Sequence, residues 1–187
     1  MRFFILMICL FVAGCQSGSK NYSDMNISEL QSKYKTYRNN HFYVLNDLIK
    51  KSVEAGNLEE AAKYAQESLA LAPLYKENWN YGNAIFDANM ALGLKNLESG
   101  KIKDAKANLI AAGKTPGSPQ LNSFGLVTRD MTLVKKMLEM NERDAVLDFL
   151  KLTSNFWKSD GSENKTLTTW IKQVSQNETP NFEKFVE

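Results

Sequence analysis

Apolar residues recur along most of the chain at intervals of three and four, and alternation at every second position is scarce, so the pattern predicts helices and no sheet. Asn26-Ile27-Ser28-Glu29 sets a capping residue three places before a Glu, starting a helix expected to reach about Arg38. A second helix is expected over about residues 41–55, with Leu45, Leu48, Ile49, Ser52 and Val53 inward and Gly56 ending it in the left-handed conformation. Asn57 can cap the third, which buries Leu58, Ala61, Ala62, Ala65, Leu69 and Ala72 and stops at Pro73. The fourth is expected over about residues 77–99. It carries one apolar stripe of Tyr81, Ile85, Ala88 and Leu92 and another of Phe86, Met90 and Leu97, which predicts burial on more than one side. Gly82 and Gly93 within it permit close helix contacts, and Gly100 ends it.

A fifth helix over about residues 101–112 buries Ile102, Ala105, Leu109 and Ala112. Residues 113–125 read as a loop. Three further helices are expected. The first spans about 131–140, with Leu133, Val134, Met137 and Leu138 inward. The next spans about 142–157, with Ala145, Phe149, Leu152 and Phe156 on one side. The last carries Leu167, Trp170, Ile171 and Val174. Asn141 takes the turn between the first two, and residues 159–162 form a loop. The fold class is therefore all-α, an array of about seven to eight helices.

The beginning of the chain breaks this pattern. Arg2 precedes an apolar run from Phe3 to Ala13, shorter than the roughly 20 residues a membrane-spanning helix needs. It reads as a cleaved export signal. Its ending, Val12-Ala13-Gly14-Cys15, resembles the lipobox of bacterial lipoproteins. The resemblance implies cleavage after Gly14, a lipidated Cys15 and a mature protein held on a membrane by acyl chains. Residues 1–14 are then a cleaved signal peptide, 15–25 a flexible polar tether and 26–187 the helical domain. Gln16, where Asp marks retention on the inner membrane, implies the outer membrane, facing the periplasm, in a two-membrane organism.

Composition is that of an ordinary globular chain, 43% apolar and 24% charged. Twenty-three basic and 21 acidic residues give a net charge of +2, too small a basic excess for nucleic acid to be an expected partner. Cys9 leaves with the signal and Cys15 is committed to lipid, so the mature domain is expected to have no disulfide and to rely on packing.

The helix pairs repeat. Gly56, Ala61 and Pro73 recur as Gly100, Ala105 and, one place early, Pro116, with Gly93 midway in the helix before the second turn. This resembles the tetratricopeptide repeat, a helix-turn-helix unit of about 34 residues. The turn glycines are 44 residues apart and Ile49 stands where the first unit would carry a small residue; Asn141 and Ala145 read as a third, degenerate unit. The segments Trp79-Asn80-Tyr81-Gly82-Asn83-Ala84-Ile85 and 112–125 also resemble an uncharacterised bacterial family of helical-repeat proteins. That family carries a His where this chain has Phe86, and Pro-Asn-Met after the loop's last glycine, where this chain has Leu126-Val127-Thr128-Arg129-Asp130-Met131. The resemblance implies a fold and no activity.

No residue set names a reaction. Gly113-Lys114-Thr115 looks like the end of a phosphate loop, but Asn108 replaces the required first glycine, a helix precedes it and prolines follow. His41 is the sole histidine, so neither a metal site nor a Ser-His-acid set is expected, and no cofactor. Glu59 and Glu60 read as a solvated helix start. The candidate partner-binding residues are Trp79, Asn80, Tyr81 and Asn83, which can line a groove, and Gln120, Asn122 and Ser123 on the 113–125 loop, whose alternative role is a connector plugging the core with Leu121 and Phe124. The leading expectation is a lipid-anchored helical-repeat module holding a protein or peptide partner at the cell envelope. The alternatives are a small-ligand protein or enzyme using that loop, and a structural envelope lipoprotein with no discrete site.

Overall fold

The computed structural model describes residues 21–36, 41–158 and 164–185. The leader, Cys15 and the tether up to residue 20 lie outside the described residues, as does the 159–162 loop. Among the described residues every regular element is helical: α1 Ile27–Thr36, α2 His41–Glu54, α3 Leu58–Leu71, α4 Tyr81–Glu98, α5 Ile102–Gly113, α6 Pro119–Phe124, α7 Thr132–Glu139, α8 Arg143–Thr153 and α9 Lys165–Ser175. Short 3-10 turns occupy Tyr22–Asp24 and Ala72–Tyr75. None of these helices is long and apolar enough to cross a membrane.

One turn recurs four times. Gly56, Gly100, Asn141 and Asn177 all have positive φ, between 63° and 72°. Each donates its N–H to the carbonyl three residues back, and the following residue donates to the carbonyl five back, as in Asn57 to Ser52 (2.8 Å) and Lys101 to Asn96 (2.8 Å). The same pair of bonds closes α7 through Glu142 to Met137 and α9 through Glu178 to Gln173, both 2.8 Å. These are left-handed caps that satisfy the last carbonyls of a helix and reverse the chain. They produce the hairpins α2–α3, α4–α5 and α7–α8, whose helices pack on one another. Five residues past the first three turns stand Ala61, Ala105 and Val146, each fully buried. The third unit therefore keeps the spacing of the other two at Val146; Ala145, singled out from the sequence, is only half-buried.

α4 is the common wall. It packs against α2, α3, α5, α6 and α7. Phe86, Met90 and Leu94 face the larger core, shared with α5 and α7–α9, while Ala88 and Ala91 face the smaller core of α1–α3. Ala84 joins Phe42 and Ala72 in a third cluster, where Phe42 stacks on Tyr75 at 4.4 Å between ring centroids. Small residues make this crowding possible. A Cβ on Gly93 would sit 2.3 Å from a methyl of Leu133, and one on Gly82 would sit 1.7 Å from the Gly117 carbonyl oxygen.

Two expectations need correction. The helix expected from about residue 77 begins at Tyr81, because the 3-10 turn runs on through Pro73 and a further turn follows it. The stretch read as a loop contains α6, making nine helices among the described residues. Ser118 caps α6 by accepting from the Leu121 N–H at 3.0 Å, and Pro119 takes the first helical position, where its missing N–H costs nothing. Gly113-Lys114-Thr115 is an α5 terminus: Gly113 lies against Phe149 and Leu152, and the Thr115 hydroxyl donates to the Gly82 carbonyl at 2.8 Å.

Gly82→Ala should lower unfolding free energy by about 3 kcal/mol, the upper end for overpacking, since its new methyl would meet backbone. Gly56→Ala has open space and only a left-handed backbone to oppose it, about 1 kcal/mol. Urea unfolding of both variants checks the order; equal losses would contradict the close approach of α4 to the 115–118 segment.

Candidate functional site

A cleft of about 690 Å³ opens between α2, the start of α4, α6 and the segment after it. Residues 21–23 also line it. The turn before α4 supplies Trp79 and Asn80, and the first two turns of α4 supply Asn83 and Asp87. Tyr43, Asn46, Asp47 and Lys50 project from one face of α2 at helical spacing, Gln120 and Phe124 come from α6, and Thr128 and Arg129 follow.

The floor is a hydrogen-bonded network centred on Asn83, which is 1% exposed. Its Nδ2 donates to Asn80 Oδ1 (3.0 Å) and to Gln120 Oε1 (2.6 Å). Its Oδ1 accepts from the Ser118 hydroxyl (2.7 Å) and from Arg129 Nη2. Ser118 thus caps α6 and fastens it to α4 with one oxygen. Arg129 Nη1 also pairs with Asp87 Oδ2 at 3.2 Å, and its guanidinium lies over the Phe86 ring at 6.0 Å from the centroid. Phe86 and Arg129, 43 residues apart in sequence, therefore meet. Asn46 Nδ2 donates to Asn80 Oδ1 and Asp87 Oδ2, both at 3.4 Å, while Asn46 Oδ1 and Arg129 Nε are buried without a partner.

Burial raises the Asp87 carboxyl above the ordinary aspartate range, against the opposing pull of Arg129 and Lys50. Burial likewise raises Asp47, against Lys50 and Lys51, with Asp87 adding to the rise. The rim is aromatic. Trp79 is 53% exposed and stacks on Tyr43 with centroids 6.0 Å apart; Phe124 is 52% exposed. Tyr43 is held in turn by an Asn78 amide that donates to its hydroxyl.

Of the residues singled out from the sequence, Trp79, Asn80, Asn83 and Gln120 come together in this cleft. Tyr81 instead packs against the Phe42 cluster. Asn122 braces α6, its amide nitrogen facing the carbonyls of Ser118 (3.0 Å) and Phe156 (3.2 Å). Ser123 is exposed and does not line the cleft, and Leu121 is buried in the larger core. Asn46, Asp47, Lys50, Asp87 and Arg129 also line the cleft, and no sequence motif points to them. The only local signal was the run of polar residues at positions 43, 46, 47 and 50 on the second helix. Glu59 is solvated as read and reaches Lys95 at 2.9 Å, whereas Glu60 accepts from Gln31 and Tyr64, both at 2.8 Å. Among the described residues no three His, Cys, Asp or Glu side chains are grouped to hold a metal ion.

No family model matches the chain, and neither a curated protein nor a solved structure shows significant similarity to it. The cleft must therefore be read from its own chemistry.

Removing Arg129 as Met strands the Asp87 charge and should lower stability at neutral pH by about 2 kcal/mol, less than for a fully buried pair because Asp87 keeps 24% of its side-chain surface in solvent. Asp87 has a folded value raised above its unfolded one. It favours folding below the unfolded value, and that contribution is lost as pH rises through the folded value. Without Arg129 the rise is larger, so the deficit of Arg129→Met should shrink as pH falls and Asp87 takes up a proton. Urea unfolding at neutral and mildly acidic pH measures this; a deficit that does not shrink would contradict the pairing.

Proposed function

We propose that this chain is a binding module of the cell envelope, tethered to a membrane through a lipid on Cys15, that holds its ligand in the cleft between α2, α4 and α6. The observation that carries this reading is the cleft itself: an exposed Trp79 and Phe124 stand over a polar floor already fixed by its own hydrogen bonds. Exposed rings on a rigid base supply contact area at little ordering cost, which is how recognition sites economise on entropy. The four equivalent turns and the buried residue five places past three of them support a tetratricopeptide-like unit as the scaffold. The Val12-Ala13-Gly14-Cys15 ending supports the tether, and Gln16 an outer-membrane address facing the periplasm.

The expected occupant is a protein or peptide segment presented at the membrane. A second reading, a small polar ligand, is favoured by a specific observation: among the described residues the lining has no aliphatic side chain. In either case the reading is of a binding site, whose two acidic groups are flanked by Lys50 and Arg129.

Two measurements test this. Labelled palmitate should enter the protein, and Cys15→Ser should abolish the label and release the protein from membranes; a label that persists would contradict the tether. A photo-crosslinking residue at Trp79 should give a discrete adduct in cells that the same residue at Leu74 does not. Leu74 is 78% exposed but does not line the cleft. Identical products from both positions would contradict the cleft as the site.

A further inference from the structure

The composition of the cleft lining defines the kind of ligand more narrowly than its shape does. Among the described residues no Ala, Val, Leu, Ile, Met or Pro lines it; its apolar surface there comes from aromatic rings and the stems of polar side chains. Peptide-binding grooves gain most of their affinity from anchors inserted into apolar sockets. An adjoining hollow formed by Ile49, Val53, Met90, Ala91 and Leu94 measures only about 70 Å³ and has Asp87 and Arg129 at its edge, and the larger one lined by Val53, Leu58, Leu94 and Val127, about 740 Å³, is a separate opening that shares only Lys50, Thr128 and Arg129 with the cleft.

The charges also balance. Asp47 and Asp87 face Lys50 and Arg129 within the same cleft, so no net field favours a phosphate, a polyanion or a cation. What the cleft offers is a set of unused hydrogen-bonding groups of both kinds. Asp47 and Lys50 form no hydrogen bond or ion pair among the described residues, and neither does the indole N–H of Trp79. Gln120 uses only its oxygen, leaving its Nε2 amide free. A ligand matching this surface has a flat apolar face for the Trp79 ring and several neutral groups that both donate and accept.

A pyranose ring has that form. One face carries C–H groups that lie on an aromatic ring, and its hydroxyls each supply a donor and acceptors for planar amides and carboxylates. At about 690 Å³ the cleft falls within the about 300–1,000 Å³ of small-molecule sites. We propose that the cleft binds a short neutral glycan, with one sugar ring stacked on Trp79 and its hydroxyls bonded to Asp47, Lys50 and the Gln120 amide. This rests on the second reading above, a small polar ligand held in the cleft, and specifies that ligand.

The protein carries its own reporter. Trp157 and Trp170 are each 1% exposed, so a ligand-dependent change in tryptophan emission originates at Trp79. The full-length protein in a zwitterionic detergent is titrated with neutral oligosaccharides, including β-1,4-linked N-acetylglucosamine chains, and in parallel with a pool of aromatic-rich peptides. A saturable emission shift with at least one oligosaccharide is expected, weakened about tenfold in Asp47→Asn by loss of a charge-assisted bond. Trp79→Ala should remove the binding heat measured by calorimetry while leaving the helical circular dichroism unchanged. A shift with peptides and none with sugars overturns the glycan and leaves the cleft as a site. No shift with either overturns both. Sugar binding whose heat survives Trp79→Ala places the ligand elsewhere and overturns the proposal.

Discussion

The fold depends on one helix being buried from opposite sides at once. α4 gives Phe86, Met90 and Leu94 to one core and Ala88 and Ala91 to another. Such a helix cannot carry large side chains all round, because its neighbours must come within packing distance on every flank. Gly82, Ala84, Ala88, Ala91 and Gly93 answer that requirement. The penalty of two glycines in a helix interior, about 1 kcal/mol each, is offset by the packing they admit.

The same constraint shapes the cleft. Where α4 begins, its neighbours diverge, and the side chains facing the gap are polar: Asn80, Asn83 and Asp87. Buried amides and carboxylates must find partners: Asn83 and Asp87 find them across the gap in Ser118, Gln120 and Arg129, and Asn80 finds them in Asn46 and Asn83. The network therefore fastens α6 and the following segment to α4 and leaves an outer layer of free polar groups. On the reading proposed above, a hydrogen-bonded floor with open valence over it offers a surface for a polar ligand.

Much of the architecture is legible in the sequence, for physical reasons that apply residue by residue. Gly56, Gly100 and Asn141 advertise left-handed turns because few other residues tolerate them, and the two apolar stripes of α4 announce burial on both sides. α6 was hidden because Pro116, Gly117 and Pro119 read as loop chemistry, although Ser118-Pro119 is also the opening of a helix. The sequence points to Ala145 because alanine suggests close packing; the turn geometry puts Val146 at the equivalent place. Part of the cleft is legible, since Trp79, Asn80 and Asn83 lie within one short stretch of sequence. Asp87 and Arg129, 42 residues apart, are not, because no local pattern shows which polar side chains a tertiary fold will face toward each other.

The most direct test of this account is native-state amide hydrogen exchange along the chain. If α4 is the wall shared by both cores, its central amides exchange only through global unfolding, with α2–α3 and α7–α8 protected to a similar free energy. Opening of α2–α3 while α4 stays protected, or faster exchange in the centre of α4 than in its neighbours, would show two independent halves and contradict the account.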